Sequence, residues 1–264
     1  MANDGVITAT DIFTPEPKNP VVICGLPGSG YVGKVAVEHL VSVFKAKRFR
    51  EYNSSSFPPQ ANIGDDGTVH RLKGEFYYAK TGQGNDLLIF TADAQPTTSR
   101  GEYELSETVV KDGKALGAIM VISLAAYITG SFSEERRVFG TSTSLELTKR
   151  LTDNGVEQMK EGTITGMNGL VVGMAELNSI DGFCLLGETS GYVVDPSASQ
   201  KVLEALSRIL DVKIDLTKLS ERVVEANELI GQIQRMAAES EEGVVEAGGA
   251  TGQTDPKRQP GYIG

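Results

Sequence analysis

Apolar residues along this chain fall into two patterns. Short continuous runs such as Val21-Val22-Ile23-Cys24, closed by Gly25, alternate with stretches whose apolar positions recur every three or four residues. A continuous run reads as a strand buried on both faces. The longer period reads as a helix with one buried stripe. These patterns predict strands at Val21–Cys24, Lys45–Tyr52, Thr68–Leu72, Glu75–Lys80, Asp86–Thr91, Ala118–Leu124, Arg137–Gly140 and Gly182–Leu186. They predict helices at Val32–Phe44, Arg100–Leu116, Ser144–Thr152, Asn168–Ile180 and Ser197–Leu210. Turns at Gly64-Asp65-Asp66-Gly67 and Gly82-Gln83-Gly84-Asn85 join the middle strands into an antiparallel flap. Elsewhere strand and helix alternate. The expectation is one α/β domain over 20–212, with a mainly parallel sheet flanked by helices.

The ends differ. Residues 1–19 are polar, carry Pro15 and Pro17, and read as a flexible N-terminal arm. Residues 213–240 read as a C-terminal helix, in which Leu216, Leu219, Val223, Ala226, Ile230, Ile233 and Ala237 alternate spacings of three and four. That is a heptad seam. It fits a helix docking on its own domain, or a contact between subunits through Leu219, Val223, Ile230 and Ile233. Residues 241–264 are rich in glycine, acid and proline and read as a disordered tail.

Composition narrows the function. The 264 residues are 40% hydrophobic and 23% charged, a globular balance. The net charge of −10 argues against nucleic acid and anionic membrane as partners. No apolar run is long enough to span a bilayer, and the start MANDGVITAT lacks a basic region followed by an apolar one. The expectation is a cytoplasmic protein. Two cysteines and two histidines make a disulfide framework, a zinc site or a nucleophile–histidine arrangement hard to assemble. Cys24 and Cys184 lie in apolar strands and read as buried, inert thiols. The expectation is no catalytic residue, no metal and no cofactor.

One motif weighs against that. Gly28-Ser29-Gly30-Tyr31-Val32-Gly33-Lys34 is both G-x-G-x-x-G and most of a phosphate-binding loop, set between a strand and a helix. Glycines and the amides of a helix start suit an anion. Val35 stands where a magnesium-binding hydroxyl belongs. Glu51, near the spacing of a ribose-binding acid, lies beside Arg50 and near Arg48. The glycines equally suit close strand–helix packing. Ser-Gly-Tyr-Val recurs at 190–193 after a second apolar strand. Both loops should emerge at the carboxyl edge of the sheet, forming a candidate crevice of Gly28, Ser29, Gly30, Lys34, Glu188 and Ser190 with Lys34 facing Glu188. A nucleotide- or small-molecule-binding enzyme, ATP-grasp-like or phosphorylase-like, using Gly28–Lys34 is the alternative function.

The string VICGLPGSGYVGK at 22–34, continuing into Ala36-Val37-Glu38-His39-Leu40, resembles the opening signature of the proteasome assembly chaperone family of the second type, in its archaeal branch. The block Leu185-Leu186-Gly187-Glu188-Thr189-Ser190-Gly191-Tyr192, then Asp195-Pro196, resembles that branch's second signature. The resemblance covers about residues 18–238. It implies a nucleoside-phosphorylase-like fold, a homo-oligomer (tetramer or pentamer) and a non-enzymatic chaperone or activator of the proteasome. It also implies a C-terminal tail that enters pockets between α subunits of the core particle. The implied tail motif is hydrophobic–Tyr–any residue. Here Tyr262 is third from the end, ahead of Ile263 and Gly264, and follows a glycine.

Overall fold

A computed structural model describes residues 7–228 apart from 132 and 134. The strands are β1 (Ile7–Asp11), β2 (Val21–Gly25), β3 (Lys47–Ser54), β4 (Ala61–Ile63), β5 (Val69–Arg71), β6 (Gly74–Ala79), β7 (Leu87–Ala92), β8 (Met120–Ile128), β9 (Val138–Ser142), β10 (Glu157–Gln158) and β11 (Asp181–Thr189). The helices are α1 (Val32–Val43), α2 (Ser99–Ala115), α3 (Leu145–Asp153), α4 (Met167–Leu177) and α5 (Pro196–Leu210). Residues 217–228 form a further helical stretch. One compact unit runs to Val223 and a second begins at Val224. The description below concerns the first.

The main sheet has the order β1-β3-β6-β7-β2-β8-β11-β9-β10. Its centre, β7-β2-β8-β11, is parallel. On one side β1, β3 and β6 continue it antiparallel, and on the other β9 runs antiparallel to β11. The expected parallel sheet is thus its centre, and with the antiparallel flanks the whole is mixed. The expected flap is the sheet's own flank, and only β4 and β5 form a separate two-stranded sheet. The cause is connection length. A parallel return needs a crossover of a dozen or more residues. The link 80–86 between β6 and β7, and 129–137 between β8 and β9, are too short. Within the expected N-terminal arm, residues 7–11 pair with β3 as an edge strand.

Continuous apolar strands are explained by cover on both faces. Val21 and Ile23 of β2 point into one core with residues of α1, α3 and α5. Val22 and Cys24 point into the other, with residues of α2 and α4. Leu219 is fully buried in the first core, so it packs within its own unit, and Val223 is half-buried. Ile230 and Ile233 lie outside the described residues, as do Tyr262, Ile263 and Gly264. Burial raises the thiol of Cys184 to about 12 and that of Cys24 further, so both are poor nucleophiles at neutral pH.

The antiparallel flank has an aromatic core. Phe76 lies 5.0 Å from Phe49 and 5.7 Å from Phe90, centroid to centroid. Tyr52 joins it, and its hydroxyl donates to Asp112 Oδ2 at 2.6 Å, tying β3 to α2. Burial, reinforced by the Asp112 charge, pushes the phenol well above its ordinary value. Tyr52→Phe keeps the ring but removes this bond. It should cost about 1.5 kcal/mol in urea unfolding, the scale of one hydrogen bond to a charged group.

Candidate functional site

Strand order reverses between β2 and β8. From β2 the chain runs through α1 toward β3 on one side; from β7 it returns through α2 to β8 on the other. Connections diverge at such a point and leave a crevice beyond the carboxyl ends of the strands. A cavity of about 420 Å³ opens there. Its walls are the loop after β2 (Leu26, Gly28, Ser29), the end of β8 (residues 125–128), the segment 159–165 and the start of α4.

The glycine loop borders this cavity, but most of its glycines serve packing. A Cβ on Gly33 would stand 2.0 Å from the Leu124 carbonyl oxygen of β8, and one on Gly25 2.2 Å from the Gly33 oxygen. Helix α1 thus rests on the sheet backbone to backbone. Gly30 has φ +61°, and a Cβ there would stand 2.9 Å from Thr189 Oγ1. Tyr31 caps α1 in the left-handed conformation at φ 52°. Gly28 is extended, exposed and uncrowded, with nothing nearer than 3.7 Å to an added Cβ.

The second loop is bonded to the first. The Asp195 amide donates to the Gly30 oxygen at 2.8 Å, and Ser199 Oγ donates to the Val32 oxygen at 3.0 Å. The Asp195 carboxylate accepts from Thr189 Oγ1 at 2.8 Å and from the Ala198 amide at 3.0 Å, capping α5. It also lies 3.2 Å from the Arg136 guanidinium in a pair whose side chains are 5% and 3% exposed. Removing one member would strand the other's charge, so this pair fixes the loop firmly.

Lys34 and Glu188 do not face each other. Lys34 Nζ donates to Ala92 O at 3.0 Å and Thr91 Oγ1 at 3.2 Å, and lies 3.3 Å from Glu38. It terminates β7 rather than reaching over the loop. Glu188, 6% exposed, accepts from Arg137 Nε at 2.9 Å and Nη2 at 3.1 Å, and from the Arg137 amide at 3.2 Å. These bonds hold its carboxyl below the usual glutamate range. Ser190 is buried, and its Oγ accepts from the Tyr192 amide at 3.4 Å. Of the six crevice residues expected, only Gly28 and Ser29 line the cavity. Among the described residues no Lys or Arg lines it, and the one acidic side chain there is Glu161. A phosphate-binding reading therefore lacks a cation.

Sequence reasoning missed Gln95 and Asn168. Gln95 Nε2 donates to Pro27 O at 2.6 Å, and its Oε1 accepts from the Met167 amide at 2.8 Å. It joins the loop after β2 to the start of α4. Gly166, at φ +72°, makes room, since a Cβ there would stand 2.5 Å from Gln95 Oε1. Asn168 is 8% exposed and its Oδ1 has no hydrogen-bond partner. A polar residue opening an otherwise apolar helix was the available signal. Among the described residues, no His/Cys/Asp/Glu cluster could hold a metal, and no helix is long and apolar enough to cross a membrane.

The model of the PAC2 family matches residues 22–234. The chain belongs to the PAC2 family. A relative from Methanocaldococcus jannaschii is 36% identical over 223 residues, covering 84% of this chain and 86% of the relative. Among solved structures, Pyrococcus furiosus PbaB, an archaeal proteasome activator, superimposes with a TM-score of 0.81 at 34% identity. That match covers 86% of this chain and 98% of PbaB. Pyrococcus furiosus PbaA, an archaeal homolog of proteasome-assembly chaperone, gives 0.72 at 30% identity, over 90% of this chain and 95% of PbaA. The two loops that carry the resemblance in the sequence are the two that Gly30, Val32, Asp195 and Ser199 bond together in this PAC2 protein.

Two outcomes follow from this geometry. Gly33→Ala should lose about 3 kcal/mol in chemical unfolding, because the Leu124 backbone cannot yield, whereas Gly28→Ala should stay within about 0.5 kcal/mol. A folded-state carboxyl held low contributes stability above its ordinary value, and that stability is lost as pH falls through the folded value. The stability difference between the native chain and Glu188→Gln should therefore be constant at neutral pH. It should shrink once the pH drops below the ordinary glutamate value of 4.5, in thermal melts across an acid series.

Proposed function

We propose that this PAC2 protein is a non-enzymatic proteasome assembly chaperone or activator that binds the α subunits of the core particle. The likeness to PbaB, spread over nearly the whole of that chain, carries the reading. The site supports it: the loop that looked like a phosphate cradle is occupied by backbone packing, its lysine ends a strand, and Glu188 is spent on Arg137. The reading includes a cytoplasmic homo-oligomer, tetramer or pentamer, with a nucleoside-phosphorylase-like core. Leu219 packs in its own core, so the proposed heptad seam between subunits passes to Val223, Ile230 and Ile233.

Docking is assigned to the tail ending in Tyr262, Ile263 and Gly264. An aromatic ring suits a pocket between subunits, and repetition around an oligomer raises effective concentration. The full chain should capture proteasome α subunits in a pull-down, and a chain ending at Ser240 should capture at least about tenfold less. Absence of capture by the full chain overturns the proposal; equal capture by both overturns the role of the tail alone.

A further inference from the structure

The cavity at the switch between β2 and β8 has chemistry that the proteasome reading does not use. Its position is where open α/β sheets hold small ligands. Its walls combine apolar surface from Leu26, Val32 and Ile164 with polar surface in about equal measure, so a ligand there would need both a flat apolar face and a hydrogen-bonding edge. The polar groups divide sharply. Gln95 has both ends of its carboxamide engaged, one on Pro27 and one on Met167. Asn168, next to it on the wall, is more than nine-tenths buried with Oδ1 unpartnered.

A buried carboxamide oxygen without a partner is rare. Oδ1 is closed off from the cavity as the side chain stands, but the terminal torsion is broad, and a turn about it brings acceptor and donor to the cavity side by side. The matching group is another amide edge. The charge on the walls sets the remaining requirement. Among the described residues Glu161 is the only acidic or basic side chain there, and Lys34 is held by Thr91, Ala92 and Glu38. An anionic ligand would meet no cation. The apolar part of the walls and the volume suit a planar molecule no larger than a nucleoside.

We propose that this cavity binds a small neutral molecule through an amide or lactam edge, paired with the side chain of Asn168. The inference stands apart from the proteasome reading, since it concerns a cavity inside one unit and requires neither the tail nor an oligomer.

Saturation-transfer NMR on the full chain tests it with nicotinamide as the primary amide and uridine as the lactam. Nicotinate and uridine 5′-monophosphate are the anionic counterparts. Transfer to at least one neutral probe is expected, with its anionic counterpart at least about tenfold weaker, and the responding probe says which edge is preferred. Asn168→Leu should abolish that transfer while keeping or raising the melting temperature, because leucine removes an unpartnered polar group from a buried position. Asn168→Asp, which keeps the shape and loses the donor, should also abolish it. The proposal is overturned if neither neutral probe responds or if the anions respond equally. Transfer that survives in both variants, or melting temperatures that fall steeply in both, also overturns it.

Discussion

At its first turn, helix α1 lies on β2 and β8 with no space for a side chain between them. Gly33 sits where any Cβ would meet the Leu124 carbonyl, and Gly25 where any Cβ would meet Gly33 itself. Much of the architecture follows from this contact. It draws the start of α1 to the sheet edge, where the Gly30 and Val32 carbonyls meet Asp195 and Ser199. Helix α5 is thereby fixed beside α1, and Gly187 repeats the device, since a Cβ there would stand 2.8 Å from the Ala198 oxygen. Two helices and two strand-end loops are locked by glycine contacts and by two polar residues, Asp195 and Ser199. Backbone is the least yielding partner a contact can have, so the edge they form is stiff.

Around that edge, polar groups are matched to partners with little surplus. Lys34 closes β7, Thr91 Oγ1 donates to the Gly25 oxygen at 2.8 Å, Gln95 bridges two segments, and Asp195 serves a cap, a hydroxyl and a guanidinium. Each would be costly to bury alone. Matched, they define one arrangement of the loops rather than adding much net stability. Six buried side-chain atoms among the described residues lack a partner, Arg136 Nε at this edge included, and Asn168 Oδ1 is the one whose residue lines the cavity.

The legible part of the fold is the part governed by local periodicity. Runs such as Leu87–Ala92 and the stripe of Ser99–Ala115 were placed to within a residue or two, because burial on two faces or on one stripe is written directly into residue order. β1 was invisible: four of its five residues are exposed, so Ile7–Asp11 has no apolar pattern to read. Strand direction was legible only where a turn announced it, as between β6 and β7. Nothing in Val138–Ser142 says that β9 runs against β11. In the site, Gly28 and Ser29 were found by motif. Lys34 and Glu188 were paired because both were expected at one sheet edge. Their actual partners, Ala92 and Arg137, lie far away in sequence, and no spacing rule reaches them.

The same distinction explains why a glycine motif is a poor witness to a nucleotide. G-x-G-x-x-G encodes two separate permissions, backbone at positive φ and close approach of helix to strand. A phosphate site needs both and, in addition, free amides facing solvent and a counter-charge. In this chain the permissions are used in full: Gly30 for φ, Gly25 and Gly33 for approach. The counter-charge is missing, because the neighbouring lysine is bound to the end of a strand and no cation among the described residues lines the cavity. Close packing alone is sufficient to require these glycines. What the cavity can recognise is therefore set by the side chains the motif does not include.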